Sequence, residues 1–296
     1  MFDIWTTTES RVFGIGDIHG KWQTIRDFWI NHKLKEKFTE DSKDKNIIVL
    51  FGDAGLNYFF NQRDEETKEK LNNFPFTYFV IRGNHEERPS ICAERNPDKW
   101  HTEEFWDNTV YVENAYPNIK YALDEIAIYK IPYITGYCDG TKENDYNDEG
   151  MPFWDFYSAL VIPGAYSIDK YYRLANNWSW FESEQLTEEE RTRGWELIKQ
   201  LKSVDLVFSH TCPCMFEPTD LFLPNVDQSL VDKTMERYLG QIEYVLDYKL
   251  WCFGHFHSTR VYPKRQSSQM LMLYNTAVID ISKYLKTQEV LKFYKI

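Results

Sequence analysis

Five short apolar runs, each broken at once by a histidine or a carboxylate, constrain this chain more than any other feature. Residues 11–16 run into Asp17-Ile18-His19-Gly20, residues 46–51 into Gly52-Asp53-Ala54-Gly55, and residues 77–81 into Arg82-Gly83-Asn84-His85-Glu86. Residues 204–208 run into Ser209-His210, and 249–253 into Gly254-His255-Phe256-His257. β-Branched and aromatic runs of this length, bounded by glycine or proline, read as buried strands. Helical periods lie between them. Residues 21–35 place Trp22, Ile25 and Trp29 on one face, and 229–248 do the same with Leu239, Ile242 and Leu246. Thr187 and Glu190 have capping-box spacing ahead of Trp195, Ile198 and Leu201. Strands alternating with helices predict an α/β sheet system, in which ligands gather beyond the strand ends. All five polar clusters lie there.

The middle of the chain is less regular. Residues 100–165 show only weak alternation, with one or two strands expected over 121–133 and another over 159–162. The polar, turn-rich stretch 138–150 predicts an exposed loop inside an irregular insert around 131–158. Its acidity lacks the ligand spacing of an EF-hand. Closing strands are expected over 270–278 and 289–294. No repeat or linker divides the chain, so residues 1–296 are expected to form one domain.

Of seven histidines, His19, His85, His210, His255 and His257 directly follow the expected strands. They are joined there by Asp17, Asp53 and Asn84. Each alone reads as a hydrogen-bonded loop residue, a turn residue or a helix cap. Gathered at one end of a sheet, they read as a shared site. Imidazole, carboxylate and amide oxygen suit Mn, Fe, Zn or Co rather than a structural Cys-rich zinc site. His32 and His101 read as ordinary surface residues. Cys212 and Cys214, beside His210, are either a thiolate site or idle thiols, the latter being the simpler reading.

The five clusters, in order and each after a strand, resemble the motifs of the calcineurin-like metallophosphoesterases, and the segment 164–173 resembles a stretch in bacterial and phage-encoded members of that family. Asp17 and His19 match Asp-x-His, Gly52-Asp53 the second motif, Gly83-Asn84-His85 the third, His210 the fourth and Gly254-His255-Phe256-His257 the last. The resemblance implies two mixed β-sheets packed as a sandwich and flanked by helices, four layers in all. It implies two divalent metal ions, Mn²⁺ first, with Fe, Zn, Co or Ni as alternatives. Asp17, His19 and His257 would hold one ion, Asn84, His210 and His255 the other, and Asp53 would bridge them. A metal-bridging hydroxide would attack a phosphate mono- or diester, and His85 would face the substrate and assist the leaving group. Arg82, Lys170 and Arg173 are candidate phosphate contacts. Glu86 either orients a neighbour or is solvated.

One departure bears on the substrate. Ser/Thr protein phosphatases of this superfamily carry Gly-Asp-x-x-Asp-Arg-Gly, whereas Leu56 and Asn57 stand here in place of the second Asp and the Arg. That counts against phosphoprotein specificity. The rival readings are a phosphoprotein phosphatase, a nuclease of the same superfamily, or a non-catalytic scaffold with this fold. With 34 basic against 46 acidic residues the chain carries a formal charge of −12, which repels long polyanions and disfavours nucleic-acid partners. Two divalent ions would outweigh Asp17 and Asp53, so the loaded site would still attract a small phosphate ester. No apolar stretch approaches the length of a membrane span, and the first residues lack a signal-peptide pattern. Five cysteines without a pairing framework fit a reducing compartment, so a cytoplasmic location is expected. The oligomeric state is left open.

Overall fold

The computed structural model describes residues 11–34, 46–137, 152–224, 226–263, 265, 268–287 and 291–296. The chain begins β1 (Arg11–Ile15), α1 (Gln23–Asn31), β2 (Asn46–Phe51), α2 (Gln62–Asn72), β3 (Thr77–Ile81) and α3 (Pro89–Arg95). β4 (Trp100–Phe105), β5 (Asn108–Glu113) and β6 (Ile119–Tyr121) follow, then the long β7 (Ala127–Tyr137) and β8 (Pro152–Ile162). Next come α4 (Lys170–Ala175), α5 (Glu188–Lys199), β9 (Ser203–Ser209), α6 (Thr234–Val245) and β10 (Asp247–Phe253). The last elements are β11 (Arg260–Val261), β12 (Gln269–Met272), β13 (Ala277–Asp280), α7 (Ile281–Thr287) and β14 (Phe293–Lys295).

These strands form two mixed sheets. One has the order β14-β13-β1-β2-β3-β6-β5-β4 and the other β11-β12-β10-β9-β8-β7. β1, β2 and β3 run parallel at the centre of the first, and β8, β9 and β10 at the centre of the second. Alternate side chains of each strand serve different cores. Val49, Phe51 and Phe79 meet Leu206, Phe208 and Cys252 between the sheets. Ile48, Leu50 and Val80 point the other way, onto Ile25 and Phe28 of α1 and Leu71 of α2. Val207, Trp251 and Phe253 turn outwards onto Ile198 of α5 and Leu239 and Ile242 of α6. The result is a four-layer helix–sheet–sheet–helix sandwich. Strands buried on both faces show unbroken apolar runs rather than alternation, and burial of each large side chain contributes about 1.5–3 kcal/mol.

Several local expectations are met in detail. Thr187 and Glu190 form both hydrogen bonds of the capping box at the start of α5. Others are corrected. The helix expected over 229–248 covers only Thr234–Val245, since a separate short turn occupies Gln228–Leu230 before it and β10 begins at Asp247 after it. Within the insert expected around 131–158, Ile131 pairs with Tyr157 and Pro132 with Phe156, and the pairing shifts register between Ile134 and Gly136. The loop expected over 138–150 lies outside the described residues. Residues 100–113 form an antiparallel hairpin rather than irregular chain. Its two-residue turn is Trp106-Asp107, both at positive φ (54° and 60°), a turn normally signalled by glycine or asparagine. Burial of the Trp106 ring against Phe79 holds that conformation. No described helix is long and apolar enough to cross a membrane.

Candidate metal centre

β1, β2 and β3 of one sheet and β9 and β10 of the other end at a common seam. Glycines let them meet. A Cβ on Gly52 would lie 2.0 Å from His210 Nδ1, and one on Gly83 would lie 2.1 Å from Asp53 Oδ1. Beyond these points the backbone turns sharply. Asp17, His19, Asp53, His255 and His257 all have positive φ, from 24° to 70°, a region that side chains other than glycine rarely adopt. Main-chain bonds fix the turns. His19 N–H donates to Asp53 O at 2.8 Å, Gly20 N–H to Ala54 O at 2.8 Å, and Gly254 N–H to His210 O at 2.9 Å. Strain of this kind persists only where the surroundings over-determine it.

The turns bring the ligand-type side chains together. His19 Nε2 and His257 Nε2 are 2.8 Å apart, and Asp17 joins them. Asp17, Asp53 and His210 form a second group, and within each group the ligand atoms lie within 4.8 Å of one another. Asn84 Oδ1 lies 2.8 Å from His210 Nε2 and 3.1 Å from His255 Nδ1. The Asn84 amide donates to Ser167 Oγ at 2.8 Å, which points its oxygen into the cluster. His210 donates from Nδ1 to Phe51 O at 2.8 Å, leaving Nε2 to face the centre. An oriented imidazole whose second nitrogen is satisfied by a carbonyl is the usual arrangement of a metal-binding histidine.

Electrostatics call for a cation in the same place. Asp17 and Asp53 are fully buried side by side. Burial pushes Asp17 up, whereas for Asp53 the neighbouring His85 and His210 outweigh burial and hold its carboxyl well below the usual range. Burial lowers His19 to about 4 and holds His255 well below the ordinary imidazole value, so both keep free lone pairs. His210 moves the other way, to about 9, because Asp53 and Asp17 overcome its burial. The donor set therefore fits divalent ions, on buried charge as well as on geometry. No described cysteine joins either group; Cys212 is buried in the α5/α6 core and Cys214 is an exposed free thiol.

His85 stands apart from this convergence. Its main-chain N–H donates to Asp53 Oδ1 at 2.9 Å, while its Nε2 faces the Arg173 guanidinium at 3.2 Å. Glu86 is an orienting residue: its buried carboxylate accepts from Gly55 N–H at 2.8 Å and from Gly83 N–H at 3.3 Å, tying the second and third turns together. Burial and the neighbouring Asp53 raise it to about 7.

A cavity of about 870 Å³ opens above His19, His85 and His257. Of the three candidate phosphate contacts, only Arg173 lines it. Arg173 is braced by Asp169 at 2.7 Å and by the Tyr58 hydroxyl. Arg82 is buried instead, 3.3 Å from Asp124 and donating to Glu184 O at 2.9 Å. Its position at a strand end suggested reach to a phosphate, but the neighbouring acid claims it. Lys170 lies over the Trp180 ring at 4.1 Å and does not reach the cavity. Ser167, Tyr58, Phe59, Trp22 and Trp178 were not legible as site residues, since none sits in a strand-end motif. The only sequence signal was the aromatic density of 166–180.

A family model described as calcineurin-like phosphoesterase matches residues 10–259. Among curated proteins, none matches the chain. Solved structures with a similar fold include TT1561 of Thermus thermophilus, 12% identical over 97% of this chain and 99% of that one, with a TM-score of 0.48. A dimetal phosphatase from Danio rerio is 9% identical over 92% of each chain, with a TM-score of 0.45. Phosphopantetheinyl hydrolase from Mycobacterium tuberculosis is 11% identical over 97% of this chain and 96% of that one, with a TM-score of 0.42. The matched residues 10–259 span all five strand-end motifs, from Asp17 to His257, and the chain belongs to the calcineurin-like phosphoesterase family.

Proposed function

We propose that the protein hydrolyses small phosphate mono- or diesters at a binuclear metal centre. The observation that carries this reading is the convergence of four motif histidines, His19, His210, His255 and His257, and Asn84 on the buried Asp17–Asp53 pair, beneath an open cavity. Asp17, His19 and His257 would hold one divalent ion, Asn84, His210 and His255 the other, with Asp53 between them and Mn²⁺ the first expectation. Such ions supply positive charge for phosphoryl oxygens and lower the pKa of water.

The chain's own residues do the rest. His85 enters the cavity without joining the ligand cluster, which suits it to contact the phosphoryl group or carry a proton to the departing oxygen. Arg173 keeps a guanidinium beside it, anchored through Asp169 and Tyr58, where a forked donor matches phosphate oxygens. This places a cation near the substrate although the family's phosphoprotein-phosphatase arginine is replaced by Asn57. Leu56, in place of the second Asp, is buried in the core beneath the first sheet. Both features favour a small ester over a phosphoprotein. The free thiols of Cys92, Cys212, Cys214 and Cys252 agree with a reducing compartment such as the cytoplasm.

The test is hydrolysis of para-nitrophenyl phosphate and of its bis-ester with Mn²⁺, Fe²⁺, Zn²⁺, Co²⁺ or Ni²⁺. Turnover of either ester that disappears on chelation is expected. Absence of turnover with every metal would leave the scaffold reading.

A further inference from the structure

The cavity above the metal-facing histidines holds about 870 Å³, far more than a phosphate group needs and within the range of sites that enclose a whole small molecule. Its walls are unusually aromatic for a site that binds an anion. Trp22 and the Tyr58-Phe59 pair contribute from one sheet's loops, and Trp178 contributes from the turn after α4. Trp178 is 53% exposed and Phe59 39%. Scattered exposure of this kind is ordinary, but clustering at one cavity is the mark of a recognition surface.

Trp22 packs against the core beneath the first sheet, whereas Phe59 and Trp178 are held by polar anchors. The Asp64 carboxylate accepts the N–H groups of Tyr58, Phe59 and Phe60 at 2.8–2.9 Å. The Arg63 guanidinium lies 3.9 Å over the Phe59 ring. Trp178 N–H donates to Arg173 O at 2.9 Å, and the Trp178 ring meets Tyr172 edge-on at 5.5 Å. The segment that sets Arg173 beside His85 therefore also sets the Trp178 ring at the same cavity.

We infer that the alcohol portion of the substrate carries a planar ring system of nucleoside size, which lies against Phe59 and Trp178 while its phosphate meets the metal-facing histidines. The inference rests on the phosphoesterase reading and names the substrate class within it. Stacking on an aromatic wall is tolerant of ring identity, and loss of one stacking partner costs about tenfold or more in affinity.

The test uses the Mn²⁺-loaded full chain and two matched pairs of esters. The monoester pair is adenosine 5′-monophosphate and glycerol 2-phosphate. The diester pair is thymidine 5′-monophosphate para-nitrophenyl ester and methyl para-nitrophenyl phosphate. The nucleoside ester should be preferred in kcat/KM by about tenfold or more in the pair that is hydrolysed. Trp178→Ala and Phe59→Ala should each remove most of that preference, through KM rather than kcat. Equal kcat/KM within both pairs, or an equal loss on both members of a pair in the variants, overturns the inference and leaves the phosphoesterase reading intact. A Trp178→Ala protein that changes its oligomeric state but not its preference assigns this face to a second copy and also overturns it. Failure to hydrolyse any of the four esters or para-nitrophenyl phosphate, with any divalent metal, overturns both readings.

Discussion

His210 at the end of β9 donates from Nδ1 to the main-chain oxygen of Phe51 at the end of β2, 2.8 Å away. The bond crosses from one sheet to the other and leaves Nε2 as the nitrogen that meets the centre. Only the missing side chain of Gly52 allows that approach, since a Cβ there would lie 2.0 Å from the same Nδ1 at a φ of 85°. Gly52→Ala is expected to push His210 out of place, with loss of bound metal and of hydrolysis. Metal content per chain by elemental analysis checks this, and a fully loaded, active variant would refute the proposed role of His210.

Ser167 is the subtler case. It accepts from the Asn84 amide at 2.8 Å and is itself held by Glu184 through a 3.1 Å bond from its N–H. Ser167→Ala frees the Asn84 amide to rotate while deleting only a buried hydroxyl. Loss of an outer partner of this kind typically weakens metal affinity or activity about 10–100-fold. A metal titration of the folded variant reads the change, and wild-type affinity would show that Asn84 needs no such support.

Asp53 and His85 should separate binding from chemistry. Asp53 lies within reach of both ligand groups, so Asp53→Asn is expected to lower occupancy of both ions and abolish turnover. His85→Ala should keep its metals and lose about 10²–10⁴-fold in rate, the usual scale for a positioned proton donor. Paired metal analysis and steady-state kinetics distinguish the two. A metal-free His85→Ala protein would make His85 a ligand.

A pH effect on stability is expected from Glu236, which is hydrogen-bonded to Thr211 next to His210. Glu236 of α6 is buried under Thr211, whose hydroxyl donates to its Oε1 at 2.8 Å, and its Oε2 has no partner among the described residues. Burial raises its pKa from the ordinary 4.5 to about 7. Between those values the folded chain keeps a proton that the unfolded chain has released, so folding is favoured below pH 4.5 and that advantage is lost as pH rises through about 7. The full effect is up to about 3 kcal/mol. Glu236→Gln should remove this fall, and urea midpoints of both proteins from pH 5 to 8, at fixed metal concentration, measure it. Parallel profiles would mean that Glu236 does not titrate in this window.

The central strands and the ligand residues were legible because one physical fact controls both. A strand buried on two faces is an uninterrupted apolar run, and its end is marked by the first polar side chain that points into the seam. Asp17, Asp53, Asn84 and His210 could be placed on that ground alone. What surrounds them could not. Arg82 sits in the same register as a ligand, but its fate was decided by Asp124, forty-two residues on and silent as a motif. Tyr58 and Trp178 belong to loops whose meeting depends on the sandwich being assembled. The hairpin over 100–113 was hidden because buried Trp106 stands where glycine would announce a turn.

The seam has a consequence for the order of events when the chain folds. Its candidate ligands come from residue 17 at one end to residue 257 at the other, and no single sheet carries either proposed set. An ion therefore finds no template in a half-formed molecule, because contacts so distant in sequence close late. With the proposed ligand sets, metal binding would favour a chain whose two sheets have docked in register, since neither sheet alone completes a set.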